Sequence, residues 1–143
     1  MLIKQSNLVL SLMSALMIGL CYPPFNGFLS WIAFIPLIEI WHRENPNKSF
    51  LYGYIFGFFS NLITLYWIGL NSGADKTTVL VSLIAALIYL SLFPGFLGFL
   101  ISFLLKKTNK AFLLIPFAWT SMELIRSFGP LGFPWINLSL TQS

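Results

Sequence analysis

Charge is scarce in this sequence. Asp, Glu, Lys and Arg make up 8% of its 143 residues, hydrophobic residues 57%, and the mean hydropathy is +0.84. A soluble surface on a domain of this size needs more charge, so the composition excludes an ordinary soluble fold. Cysteine is nearly absent as well: Cys21 stands alone, which rules out an internal disulfide and a cysteine metal cluster. The single histidine, His42, has no second ligand at metal spacing, so neither a metal nor another cofactor is expected. Short strands alternating apolar and polar residues, the mark of a membrane barrel, are missing too. The net charge of +4 invites a nucleic-acid reading. The basic residues, however, are split by apolar stretches and form no aromatic-basic patch, so no nucleic-acid partner is expected.

What the chain does have is long apolar runs. In lipid every backbone donor and acceptor needs a partner within the protein, and continuous runs satisfy that as helices. The first run is Leu8 to Tyr22 and the second Phe28 to Trp41, with Pro23 and Pro24 between them. At roughly 15 residues each, about 22 Å as helices, they fall short of the ~30 Å hydrocarbon core. They form a short Pro-broken hairpin, either spanning a thinned bilayer or re-entrant. The third run, Phe50 to Leu70, spans comfortably. The fourth, Thr78 to Leu105, is longer than one span requires, and Pro94-Gly95 within it should kink or tilt it. The fifth, Ala111 to Ile125, contains Pro116 and leads into a tail rich in proline and glycine. The expected class is all-α: a polytopic membrane bundle of about five helices in one domain.

The basic residues orient it. With the N-terminus cytoplasmic, the inner side holds Lys4, Arg43, Lys48, Lys106, Lys107 and Lys110, and the outer side only Lys76 and Arg126. The tail from Ser127 to Ser143 then lies outside. No small-x-small cleavage site follows the first run, so the N-terminus reads as a retained helix.

Few residues are candidates for chemistry. Cys21 has no base or cation nearby in sequence to activate it, so core packing is its expected role. His42 suits an interface anchor. Glu39 lies one turn inside the second run and can meet Arg43, four residues on. Glu123 and Arg126, three apart on one helical face, allow two readings: an interfacial ion pair, or anchors for a lipid headgroup, Arg126 for phosphate and Glu123 for an ammonium. Gly53 and Gly57, continued by Asn61 and Thr64, make a small and polar stripe suited to close helix packing. Trp31, Trp41, Trp67 and Trp135, with Tyr22, Tyr52 and Tyr66, lie mostly near run ends, as an aromatic belt would; lining an acyl-chain groove is the alternative. No Ser-His-Asp set, carboxylate pair or phosphate loop is present, so this chain alone is expected to be inactive as an enzyme.

Several strings, in order, resemble the apolipoprotein N-acyltransferases. Gly19-Leu20-Cys21-Tyr22-Pro23-Pro24-Phe25 is similar to the family's turn between its first two helices, and Ile35-Pro36-Leu37 to its next helix. Ser49-Phe50-Leu51 with Gly53, Gly57 and Leu65-Tyr66-Trp67-Ile68 resembles the third, and Leu92-Phe93-Pro94 the fourth. Pro116, Trp119, Glu123 and Arg126, then Gly132-Phe133-Pro134-Trp135, resemble the fifth helix and its following loop. The stretch after that loop departs from the family pattern, with Ser139, Leu140 and Thr141 before Gln142.

The resemblance implies an inner-membrane, multi-pass protein with its tail periplasmic. It implies an enzyme that moves a phospholipid acyl chain to a cysteine thiol, then to the N-terminal diacylglyceryl-cysteine of a lipoprotein. A thioester divides one hard acyl transfer into two easier ones. Residues 1–143 would be the N-terminal transmembrane domain. The family's nitrilase-like domain, with its Glu-Lys-Cys triad, has no counterpart here, and Cys21 does not replace it. The implied partners are membrane phospholipids, the lipoprotein substrate and a separately encoded nitrilase-like domain. Glu123, Arg126, Gly132, Phe133, Pro134 and Trp135 would lie on the substrate side. The alternative is a stand-alone small membrane protein that packs on a partner bundle through its glycine face. A reporter fused after Ser143 should work only if it functions outside the cytoplasm. A cytoplasmic signal, or recovery of the chain from a detergent-free supernatant, would contradict this topology.

Overall fold

The computed structural model describes residues 6–22 and 27–142, and among these every regular element is helical. The elements are α1 (Asn7–Gly19), α2 (Ser30–Ala33), α3 (Ile35–Arg43), α4 (Pro46–Leu65), α5 (Lys76–Leu105) and α6 (Ile115–Ser127), with short 3-10 turns between and after them. Pro23 and Pro24, the expected hairpin turn, lie outside the described residues. Two helical stretches are long and apolar enough to cross a membrane: Pro46–Leu70, mean hydropathy 1.3, and Lys76–Leu105, mean hydropathy 2.3. The second would be about 45 Å long at 1.5 Å per residue, well beyond the hydrocarbon thickness.

Prolines set the helix boundaries. Pro36 and Pro116 each fall in the first turn of a helix, α3 and α6, where the missing N–H would have no partner anyway. For that reason the second apolar run is not one helix. It divides at Phe34 into α2 and α3, since a ring at position 36 would meet the carbonyl four residues back. The fifth run likewise begins as a 3-10 turn, Asn109–Leu114, before α6 starts. Pro46 opens α4, whose cap is the Asn45 side chain accepting from the Lys48 N–H at 2.9 Å. Asp75 caps α5 by accepting from Thr77 and Thr78. Pro94 is the exception: it sits inside α5, which continues through it.

The bundle is organised around the approach of α4 to α5. A Cβ on Gly53 would stand 2.5 Å from the Pro94 carbonyl oxygen, and one on Gly57 would stand 2.4 Å from the Pro94 ring. On the other helix, a Cβ on Gly98 would come within 2.6 Å of the Ser49 carbonyl. Rising numbers on α4 face falling numbers on α5, so the two run antiparallel. Small residues on both sides let the backbones come this close, which is how helices associate where lipid removes the hydrophobic drive. Serines tie the other helices on. Ser11 of α1 donates to the Tyr52 carbonyl at 2.8 Å, Ser14 to the Ala33 carbonyl, and Ser102 of α5 to the Glu44 carbonyl at 2.9 Å. Asn7 donates to Glu44, which brings the start of α1 to the end of α3.

Trp41, Leu37, Ile40, Phe56 and Ile101 form the main buried cluster; Leu65, Leu83, Leu87, Leu90 and Ile136 form a second. Trp41 is therefore a core residue at 1% exposure and takes no part in an aromatic belt. Trp31, Trp67 and Trp135 remain exposed. Glu39 pairs with Arg43 at 2.6 Å on the surface. Cys21 is buried, its thiol donating to the Met17 carbonyl. One face of α5 (Ile84, Ile88, Phe96, Phe99, Phe103) is apolar and exposed, a face suited to lipid.

Gly53→Val forces a branched side chain against backbone, where no rotamer relieves it. It should cost about 1–3 kcal/mol of unfolding free energy in detergent. Ile84→Ala, on the exposed face of α5, should stay within about 0.5 kcal/mol. Equal losses in the two variants would argue against the α4–α5 contact as the organising one.

Candidate functional site

The site is built at the far end of α6, where the chain turns back over the bundle. Trp119 positions that helix. Its ring lies 4.5 Å, edge-on, from the Phe34 ring and 6.3 Å from Phe56, so α6 docks on the α2–α3 break and on α4 together. The indole N–H of Trp119 then donates to a carboxylate oxygen of Glu123, one turn on, at 3.0 Å. The same oxygen accepts the backbone N–H of Leu138 at 2.7 Å. A partly buried carboxylate holding a backbone N–H makes a strong, charge-assisted bond, and it fixes the returning chain to the helix.

Arg126 does the same from the other side. Its guanidinium is 5% exposed, and one terminal nitrogen donates to the Ile136 carbonyl at 3.1 Å and the Asn137 side-chain oxygen at 3.0 Å. The Tyr22 hydroxyl, on the opposite side of the bundle in sequence, donates to the same Ile136 carbonyl at 2.7 Å. That oxygen carries two donors and ties the end of the first run, α6 and the tail into one point. The Arg126 carbonyl accepts the Phe133 N–H at 2.8 Å.

Glycines make the reversal possible. Gly129 has φ +84°, the left-handed region that other residues avoid. A Cβ on Gly132 would stand 2.6 Å from the Ser127 carbonyl, so that position has no room for a side chain. The turn delivers Pro134 and Trp135 to the surface and Ile136 into the second buried cluster. The Trp135 ring lies 6.4 Å from Trp67, past the end of α4.

Glu123 and Arg126 therefore have different partners, although three residues apart on one helix. Among the described residues no ion pair joins them. Arg126 is buried and its bonds go to oxygens of the Ile136–Asn137 segment. Glu123 lines an open cleft of about 640 Å³ between α2, α6 and the tail, whose walls include Trp31, Trp119, Leu124 and Leu138. An apolar cleft with one carboxylate at its side suits an amphipathic ligand. Gly53 and Gly57 lie at the α4–α5 contact, away from this cleft. Asn61 and Thr64 lie in the interior beneath Arg126, and the Thr64 hydroxyl donates within its own helix, to Ser60 and Asn61 carbonyls.

Sequence reasoning named Tyr22 only as a belt aromatic and part of a family string, and it did not single out Asn137 or the Ile136 carbonyl. One signal was available: a lone Arg near a helix end, without a carboxylate four residues away, needs acceptors from the following loop.

These features can be set beside known proteins. Residues 14–143 match the family model described as the apolipoprotein N-acyltransferase N-terminal domain. An apolipoprotein N-acyltransferase of Geobacter metallireducens is 30% identical over 145 residues, covering 98% of this chain and 28% of that protein. One from Coxiella burnetii is 28% identical over 144 residues, covering 95% of this chain and 30% of that protein. One from Methylococcus capsulatus is 28% identical, covering 95% of this chain and 28% of that protein. The chain thus spans less than a third of the length of the curated relatives it matches. The matched residues take in Trp119, Glu123, Arg126 and the Gly132–Trp135 turn, and with them the chain belongs to the apolipoprotein N-acyltransferase family, as its N-terminal domain.

Proposed function

We propose that this chain is the membrane scaffold of an apolipoprotein N-acyltransferase and supplies none of its catalytic residues. The reaction begins with a phospholipid ester. A cysteine thiolate takes the acyl group as a thioester and releases the lysophospholipid. The α-amino group of a lipoprotein's diacylglyceryl-cysteine then takes the acyl group and frees the thiolate. Both lipid substrates have to be presented at one depth in the inner membrane, on the periplasmic side. The glutamate–cysteine–lysine chemistry would come from a nitrilase-like domain beyond these residues or on a separate chain.

The observation that carries this reading is the double tie at the end of α6. Arg126 and Glu123 hold the Gly132–Leu138 segment against the bundle, beside an open apolar cleft. That arrangement fixes a rigid rim where lipid meets water, and a catalytic group must find its substrate at a fixed distance to work. The basic-residue bias supports the same end facing outward.

A chimera tests it. Residues 1–143 replace the corresponding segment of the Geobacter metallireducens relative in a cell depleted of its own N-acyltransferase, and lipoprotein N-termini are read by mass spectrometry. N-acylated lipoprotein is the expected product. Arg126→Ala removes charge-assisted bonds worth about 1.5–3 kcal/mol and should slow N-acylation roughly 10- to 100-fold with the protein still inserted. An inserted chimera whose rate ignores the Arg126 change would count against the rim. An inserted chimera that leaves all lipoproteins un-acylated would count against the scaffold role itself.

A further inference from the structure

Beneath the double tie lies a small, partly enclosed cavity of about 30 Å³, bounded by Arg126, Asn61, Ser60, Thr64 and Tyr22 among others. Its walls contain a buried donor that has no partner among the described residues. The Arg126 Nε–H is buried and meets no acceptor among the described residues. The Asn61 side chain, 6% exposed, lines the same cavity. The neighbouring hydroxyls are oriented but not saturated. Ser60 donates to the Gly57 carbonyl at 3.2 Å and Thr64 to carbonyls of its own helix, which leaves the oxygen lone pairs of both free to accept.

A buried guanidinium N–H is costly to leave unpaired, the more so at the depth of a membrane helix, and an amide beside it offers a water a second partner. A cavity holds a water when it offers roughly 10–15 Å³ and two to four polar partners. This one offers both. It is too small for a phosphate or carboxylate, and its walls carry no anionic group that would prefer a cation.

We infer that this cavity is a binding site for an internal water, which accepts from Arg126 Nε–H and donates to Asn61. Asn61 is then a positioning residue. It sits in the last turns of α4 and acts through the water on the guanidinium that holds Ile136 and Asn137. The bridge links the α4–α5 contact to the rim of the cleft. It rests on the geometry of the cavity and is independent of the acyl-transfer reading.

The chain contains two arginines, so a chain labelled with nitrogen-15 at arginine gives two Nε–H signals in detergent micelles. Arg43, exposed and paired with Glu39, is the internal control. The Arg126 Nε–H should show a dipolar cross-peak to a water that exchanges slowly with bulk. Its absence in the unaltered chain would overturn the site. Asn61→Leu fills the space with carbon and should remove the cross-peak; its persistence would exclude Asn61 from the bridge. Should that variant fail to fold, Asn61→Ala removes the amide without filling the space. Exchange of the Arg126 Nε–H with bulk water should then rise about tenfold. An unchanged rate there would also exclude Asn61.

Discussion

The contact of the Gly53 backbone with the Pro94 carbonyl sets the position of everything above it. Two helices that meet without side chains between them have little freedom to slide or rotate. Gly57 against the Pro94 ring and Gly98 against the Ser49 carbonyl repeat the constraint one turn away on either side. In lipid, where apolar side chains gain little by meeting one another, such close approach is a main source of specificity. A proline within α5 removes one hydrogen bond of that helix. The glycines opposite it allow the partner helix to take up the irregular surface that results. The level of Phe56, and with it the docking of Trp119 and α6, follows from that fit.

A second constraint is that polar groups have to be satisfied inside. Ser11 and Ser14 of α1 and Ser102 of α5 give their protons to carbonyls of neighbouring segments, so these helices are fixed in register as well as in distance. Arg126 is the extreme case. A buried cation next to neutral oxygens is stable only if those oxygens are held in place. The Tyr22 hydroxyl on the same Ile136 carbonyl, and the Glu123 carboxylate on the Leu138 N–H, supply that rigidity. The tail is ordered because the charge needs it, and the charge is tolerated because the tail is ordered.

Part of this was legible in the sequence. Uninterrupted apolar runs with sparse charge announce helices in lipid, since period and length need no tertiary information. The Glu39–Arg43 pair was legible because it lies within one helix. The ordered strings from Gly19 to Trp135 revealed the family. What spacing could not reveal is a partner across a turn. Ile136 and Asn137 are ten and eleven residues beyond Arg126, and Tyr22 is more than a hundred away, so nothing in the local pattern says that they meet. The breaks before α3 and α6 follow from Pro36 and Pro116, which end one helix as readily as they begin the next. Trp41 misled for a similar reason: a tryptophan at a run end is an interface residue unless another helix covers it, and here α5 does.

The two charged residues at the end of α6 divide their work by geometry rather than by sign. An Arg has five donors in a planar fork and suits carbonyls converging from a turn. A Glu has only acceptors, and here a single oxygen holds both the indole and the Leu138 N–H. Exchanging the two would leave donors facing donors on one side and acceptors facing acceptors on the other. Glu123 also lines the cleft, the one carboxyl group on a wall otherwise built from Trp31, Trp119, Leu124 and neighbouring polar groups without charge. A carboxylate in that setting orients an amphipathic molecule by its polar end while the apolar wall takes its chain. The internal tie and the cleft are thus two faces of one residue. A change that loosens the Leu138 segment would also move the group that a ligand meets.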